Sequence, residues 1–354
     1  MKRAIHAAIL GASGYGAGEL LRLLTQHPEV EVVAVTSTSQ AGAPVAELHP
    51  HLRGFYDLQT TESVDFARLS AAGQAVVFSA LPRGASATAI DVLLSAVQHV
   101  DGCAPVRIID LSGDFRLTDA RQHIRYYPDT PLLPERRQTF VYGLPELFRA
   151  QIRTAHHVAN AGCLASASIL AAAPLVQGDF AGPLAIDAKT GSSGAGRQLK
   201  ESTHHPTRHA DFRAYEPLSH QHEPEIRQAL GDPQGERFQT SFVAQSMDTA
   251  RGIFVTIHAT LAQPTEAAEL RRRYADFYAA SPFVRVIAGS PALQNVVGSN
   301  FCDIGLAVRD RQVIVMAALD NLVKGMAGTA IQNMNLMCGL PETTGLWAPA
   351  LRPV

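Results

Sequence analysis

The sequence predicts an α/β protein of two domains, a parallel-sheet domain followed by a more antiparallel α+β domain. Three observations predict it. At 354 residues the chain exceeds the usual size of one hydrophobic core, and its apolar content of 46% is enough to fill two. Short apolar runs in the first half alternate with helical patterns, as βα units do. After Gly162-Cys163 the strand-like runs come without that regular alternation.

Ala4 to Leu10 is mostly apolar, as a strand buried on both faces is, and it runs directly into Gly11-Ala12-Ser13-Gly14-Tyr15-Gly16-Ala17-Gly18. Glu19 to Leu24 then takes up helical periodicity, His27-Pro28 ends it, and Glu31 to Thr36 reads as a second strand. Strand, glycine turn, helix and strand form the Rossmann-type context in which such a turn lets the backbone approach a pyrophosphate at a helix N-terminus. The second strand ends in Thr36-Ser37-Thr38-Ser39-Gln40, hydroxyl donors with no carboxylate, which favours NADP(H) over NAD.

The run from Ala75 ends in Leu81-Pro82-Arg83-Gly84, and that from Val106 in Ser112-Gly113-Asp114-Phe115-Arg116. Both loops fall on the edge where open parallel sheets bind ligands. Asp114 and Arg116 are either a plain surface pair or a site for phosphate or carboxylate. Residues 126–135 read as loop. Tyr142-Gly143-Leu144-Pro145-Glu146-Leu147 leads to a last short strand before Cys163, so the first domain is expected to close near residue 160. It is completed by a C-terminal helix, residues 325–354, whose small-residue run begins in Asp320-Asn321-Leu322-Val323-Lys324-Gly325 and continues through Asn335; residues 161–324 form the second domain.

Cys163 follows a tight Asn160-Ala161-Gly162 corner and precedes a long run of helix formers. At a helix's first turn, unpaired N–H groups and the macrodipole stabilise a thiolate, so the position suits a nucleophile; a buried packing thiol is the alternative. Leu184 to Lys189 opens the second region. Thr190-Gly191-Ser192-Ser193-Gly194-Ala195-Gly196-Arg197 is either a connector or a loop that folds over bound ligands. His204 to His222 holds five histidines in nineteen residues, without HExxH or a neighbouring cysteine, so an imidazole serving a thiol is favoured over a metal site. His220 and His222, two apart, are expected on one side of a strand. Ser241–Gln245, Gly252–Leu261 and Val313–Ala318 read as strands, and Ala267–Tyr278 as a helix whose Arg271-Arg272-Arg273 run is a solvated face.

A net charge of −2 gives no bias toward nucleic acid or anionic membranes, and no span approaches the length of a membrane helix. Four cysteines without a CxxC pair suit free thiols in a reducing cytoplasm.

With these pieces placed, the chain resembles the N-acetyl-gamma-glutamyl-phosphate reductases of arginine biosynthesis over nearly its whole length. The matching pieces are Gly11-Ala-Ser-Gly-Tyr15, His49-Pro-His-Leu-Arg-Gly54, Asp110-Leu-Ser-Gly-Asp-Phe-Arg116, Tyr142-Gly-Leu-Pro-Glu146, Gly162-Cys163, Ser193-Gly-Ala-Gly-Arg197, His220-Gln-His222 with Pro224-Glu225, and Asp320-Asn-Leu-Val-Lys-Gly325. The resemblance implies a semialdehyde dehydrogenase-like oxidoreductase with an NADP-binding domain and a substrate/dimerisation domain. Its cysteine attacks an acyl phosphate, phosphate leaves, and the thioester is reduced to the semialdehyde. Cys163 falls on the nucleophile, and His220 and His222 on the acid/base motif. Cofactor contacts are expected from Gly11, Ser13, Gly14, Tyr15, Gly16, Ser37, Thr38, Ser39, Pro82, Ser193, Gly194 and Asn321. Substrate contacts are expected from Arg116, Asn160, Arg197 and Tyr215. Homodimers or homotetramers are implied.

The chain departs from the family pattern in Ala161, Leu164 and Ser166 around the cysteine. These residues, with the Ser202–Arg208 stretch, are similar to the sister reductases of lysine biosynthesis, whose aminoadipyl phosphate rides on a small acidic amino-group carrier protein. Lys200, Arg208 and Arg213 are then candidate contacts for such a partner. An NADP-binding sensor that has lost catalysis is the alternative from another class.

Overall fold

The computed structural model describes residues 4–97, 105–178 and 180–353; Cys103 lies outside the described residues. It divides into a first unit, up to Ala161 together with Ala327–Leu346, and a second, Gly162–Met326 with the segment from Trp347.

The first unit holds β1 (Ile5–Leu10), β2 (Val30–Thr36), β3 (Gln74–Ser79), β4 (Val106–Asp110), β5 (Phe140–Gly143) and β6 (His157–Asn160). They form one sheet, in the order β2-β1-β3-β4-β6-β5, with every pair parallel. Burial on both faces is why the inner strands read as continuous apolar runs. The strand order reverses beside β1, and there Gly11 takes φ +91°, with the carbonyl of Ala80 only 3.1 Å from where its Cβ would be. A side chain is excluded twice over, by the left-handed backbone and by the neighbouring chain.

The elements here that were not anticipated include β5, only four residues long, and a helix, Pro145–Thr154, that starts with proline in its first turn. The expected terminal helix is also shorter than 325–354. A π-turn, Val323–Ala327, precedes an α-helix that ends at Met337, and the segment from Trp347 packs with the second unit. All ten residues of the helix Gly328–Met337 are buried, including three amides. Each amide is bonded: Gln332 to Glu146 at 3.1 Å, Asn333 to the Asn160 side chain at 3.0 Å, and Asn335 to His27 at 2.9 Å. These bonds fix the helix in register against its unit, which apolar contact alone does not do.

The second unit carries β7 (Phe180–Thr190), β8 (Arg213–Tyr215), β9 (Thr240–Ser246), β10 (Ile253–Leu261), β11 (Val284–Ile287), β12 (Cys302–Arg309) and β13 (Gln312–Leu319). Their order is β11-β12-β13-β10-β7-β9-β8, antiparallel except for the β11/β12 and β7/β9 pairs. Against β7, β10 and β13 lies the helix Cys163–Val176, with twelve of its fourteen residues buried. It contains Pro174, which has no N–H to give the carbonyl of Leu170. The Tyr278 hydroxyl donates to that carbonyl at 2.6 Å, and Tyr274 donates to the next, Ala171, at 2.7 Å. The defect that proline introduces is thereby repaired from a neighbouring helix.

Two histidines of the first unit make its stability depend on pH. Burial, then Arg137, lowers His123 to about 4; burial, then His156 and Arg136, lowers His157 to about 4. Between the ordinary value of 6.5 and about 4, the unfolded chain binds these protons more readily. The stabilisation is therefore present above pH 6.5 and lost as the pH falls. A His123→Gln/His157→Gln variant is expected to melt below wild type at pH 7, with the gap narrowing by about 5 °C or more by pH 4. Thermal melts across that range check it, and a constant gap would contradict it.

Candidate active site

In the first unit the glycine turn, the end of β2 and the end of β3 lie along the carboxyl edge of the sheet. Gly11 and Ala12 donate their N–H groups to the carbonyl of Thr36 at 3.1 and 2.9 Å, which ties the turn to the following strand. Gly14 is the N-cap of the helix Tyr15–Leu24 and offers no side-chain cap, so the first-turn N–H groups stay available to an anion. Ser13 and Tyr15 are exposed and Gly16 half-buried. Beyond β2, Ser37 is half-buried and Thr38 and Ser39 exposed; beyond β3, Pro82 is exposed. The Gly11 cradle and the uncapped helix fit the diphosphate of a dinucleotide.

Asp114 and Arg116 are not a surface pair. Asp114 is fully buried and accepts the N–H groups of Gly84 and Ala87 at 2.8 and 2.9 Å, holding the loop after β3 and the start of the helix Ala85–Val97. Burial, and next the neighbouring Asp110, raises its carboxyl to about 6. Arg116, 8% exposed, donates to the carbonyls of Asn160 at 2.8 Å and Leu111 at 3.0 Å. Two of the four expected substrate residues, Arg116 and Asn160, are thus in direct contact.

In the second unit Cys163 is the first residue of its helix, half-buried and in no disulfide. The N-cap Gly162 again provides no side-chain cap. Tyr215, on β8, lies close enough that Cys163 is, after burial and before Glu216, a cause raising its phenol above the ordinary range; Arg208 opposes the rise. Tyr215 therefore keeps its hydroxyl proton at neutral pH. Its ring is 5.5 Å from that of His220, and His220 is 4.7 Å from His222. The two histidines are neighbours as expected, but not on a strand. His220 ends a turn built on the left-handed residues Glu216 (φ 49°) and Leu218 (φ 57°), and His222 opens the helix His222–Ala229. Both are 5% exposed.

The turn also sets a tautomer. The backbone N–H of His222 donates to His220 Nδ1 at 3.1 Å, which assigns the proton of the neutral ring to Nε2. Glu216 lies on that side, 4.0 Å from Nε2.

Ser193, Gly194 and Asn321 are also brought together: Asn321 donates to Ser193 Oγ at 2.9 Å and accepts the Gly252 N–H at 2.8 Å. Residues 192–195 form a 3₁₀ turn, and Arg197 lies exposed beyond it.

Gly325 ends the Asp320–Gly325 motif, in which the sequence alone gives it no role. It sits in the π-turn Val323–Ala327, its N–H bonded to the carbonyl of Asp320 at 2.8 Å, and a Cβ there would lie 2.7 Å from Cys163 Cβ and 3.2 Å from Cα. Only glycine leaves room for the cysteine. The available signal was a glycine inside a helical run, which needs a packing or functional reason. Gly325→Ala is expected to fold but to lose at least about tenfold in turnover as the added methyl displaces Cys163. Turnover and the rate of Cys163 alkylation, measured together, check it; unchanged values would contradict the assignment.

Comparison with known proteins agrees with this layout. Residues 6–155 match the NAD binding domain of semialdehyde dehydrogenases, and residues 163–321 match their dimerisation domain. The N-acetyl-gamma-glutamyl-phosphate reductase of Pelotomaculum thermopropionicum is 41% identical over 99% of this chain and 100% of its own. That of Symbiobacterium thermophilum is 45% identical over 97% of both. Among solved structures, aspartate semialdehyde dehydrogenase II of Vibrio cholerae superposes with a TM-score of 0.68 at 15% identity, covering 94% of this chain and 98% of that one, a likeness of fold. Near-complete coverage at such identity, with the cysteine at the start of the matched dimerisation domain, places the chain in the N-acetyl-gamma-glutamyl-phosphate reductase family of semialdehyde dehydrogenases.

Proposed function

We propose that the protein reduces N-acetyl-gamma-glutamyl phosphate to N-acetyl-glutamate 5-semialdehyde and phosphate, with NADPH as reductant and Cys163 as nucleophile. The observation that carries this reading is Cys163 at the uncapped start of a buried helix, with the Tyr215 phenol near it and the His220–His222 pair packed next to that phenol.

The cysteine thiolate adds to the acyl carbon, the C–O bond to phosphate breaks with its electron pair on phosphate, and a thioester remains on Sγ. The thioester holds the acyl group activated after phosphate has gone. A reduced nicotinamide, when bound, supplies the hydride for the carbonyl carbon. The oxyanion that results on the cysteine adduct then collapses: its electron pair re-forms the C=O bond as the C–S bond breaks with its pair on sulfur, releasing aldehyde and thiolate. His220 is assigned to stabilise that oxyanion before it collapses, because its tautomer carries a hydrogen on Nε2 that it can donate in a hydrogen bond. His222 positions it through the backbone N–H. Arg116, Arg197, Tyr215 and Asn160 are proposed for the substrate's anionic and carbonyl groups.

The absence of a carboxylate in Ser37-Thr38-Ser39 supports NADP(H). A homo-oligomer, dimer or tetramer, and a cytoplasmic location complete the reading; among the described residues no helix is long and apolar enough to cross a membrane. A carrier-linked aminoadipyl substrate is less well supported. Arg208 bonds Ser246 and Met247, and Arg213 bonds the Ser202 carbonyl and Asp211, so these cations serve their own chain.

The test is the reverse reaction, phosphate-dependent reduction of NADP+ by N-acetyl-glutamate semialdehyde. Wild type is expected to turn over, and Cys163→Ser to lose more than about 10³-fold while still binding NADPH. Retained turnover would reject the nucleophile. No wild-type turnover, with Cys163 reactive toward iodoacetamide, would favour the carrier-linked substrate; an unreactive thiol would favour a sensor. Thr38→Asp is expected to weaken NADPH binding by about tenfold or more, through repulsion of the 2'-phosphate, as a binding titration would show.

A further inference from the structure

Glu225 is fully buried on the helix His222–Ala229, one turn after His222. Its carboxylate accepts the backbone N–H of Gly162 at 2.6 Å. Such a charge-assisted bond is roughly twice as strong as a neutral one, and the distance is at the short end for an N–H donor. A buried carboxylate is costly, and an apolar side chain of similar size would fill the space between two helices more cheaply. What an apolar residue would not do is orient a peptide group.

The peptide it orients matters. Gly162 is the N-cap residue that leads the backbone into the first turn, at φ −71° and ψ 148°, and Cys163 is the next residue. The helix that carries Glu225 begins with His222, whose N–H fixes the ring of His220. One carboxylate therefore connects the backbone that aims the thiol to the segment that aims the His220 ring. The bond also engages the Gly162 N–H, so the oxyanion formed at the acyl carbon must draw on other donors.

We propose, resting on the assignment of Cys163 as nucleophile, that Glu225 is a positioning residue. It holds the Gly162 peptide so that the cysteine and His220 keep a fixed relation through thioester formation and reduction. Charge is not what the role requires; an acceptor oxygen at that place is.

Wild type, Glu225→Gln and Glu225→Ala, each prepared with NADP+, are compared for kcat, KM for phosphate, NADP+ affinity, melting temperature, and the rate of Cys163 alkylation by iodoacetamide from pH 6 to 9. Glu225→Gln, which keeps an acceptor oxygen, is expected to retain kcat within about threefold, and Glu225→Ala to lose about 100-fold in kcat with KM and NADP+ affinity within about twofold. The alkylation profile should change in Glu225→Ala and be restored in Glu225→Gln. Retention of kcat and of the alkylation profile by Glu225→Ala would overturn the proposal, as would a loss in Glu225→Gln equal to that in Glu225→Ala. If Glu225→Ala does not fold, Glu225→Met, which fills the volume without an acceptor, takes its place in the same comparison. Alkylation needs no substrate, so failure of the wild type to use the semialdehyde would reject the substrate assignment and leave the Glu225 comparison standing.

Discussion

A thiol proposed as nucleophile must be open to substrate on one side and fixed in direction on every other, and the second unit meets that constraint with a single helix. Cys163 stands at its uncapped first turn, and the rest is buried against β7, β10 and β13. Burial on all sides leaves such a helix little rotational preference of its own, because every face is apolar. Direction comes from polar contacts instead: Glu225 on the Gly162 peptide, two tyrosines on the Leu170 and Ala171 carbonyls, and the bare Gly325 against the cysteine. The convergence of Tyr215, His220 and His222 has value only because the thiol is held this way.

The first unit solves a different problem, the close approach of backbone to a charged ligand. Gly11 removes the Cβ at the point where strand order reverses, and the helix after it leaves its first N–H groups uncommitted. Behind that edge lies a buried polar layer. Asp110 accepts hydrogen bonds from Ser86 and Ser112, Asp114 restrains the loop after β3, and Arg116 reaches across to the end of β6. Asp114, which the loop sequence presents as half of a surface pair, is a structural fastener for the ligand-binding edge.

Much of this was legible in the sequence, and the failures have identifiable causes. Inner parallel strands were readable because both faces are buried, and the glycine turn because its neighbours were a strand and a helix. Strand β12 was passed over because Asp303 and Gly305 are poor strand residues. Tertiary contacts retain both: Asp303 pairs with Arg285 of β11 at 2.5 Å, and the Gly289 carbonyl occupies the space where a side chain at 305 would go. The histidine pair was read with the period of a strand, while the chain there makes a left-handed turn at non-glycine residues, a conformation that local propensity disfavours and surrounding structure enforces. Cys163 stands out in the sequence because a candidate nucleophile has a chemical signature. Glu225 and Gly325 do not, because positioning and close approach are relations between distant residues and leave no local pattern.

Pro174 has a further meaning for the geometry of the thiol. A helix without a break satisfies its interior carbonyls from its own N–H groups, so its backbone offers the surroundings no polar contact that marks one axial position. With Pro174 in place, the Leu170 carbonyl must meet the one hydroxyl that replaces its lost donor, and that hydroxyl belongs to a different helix. The proline thus acts as an index mark: it makes one axial setting of the rod distinguishable from its neighbours, and so gives the cysteine about three turns away an absolute coordinate rather than a relative one.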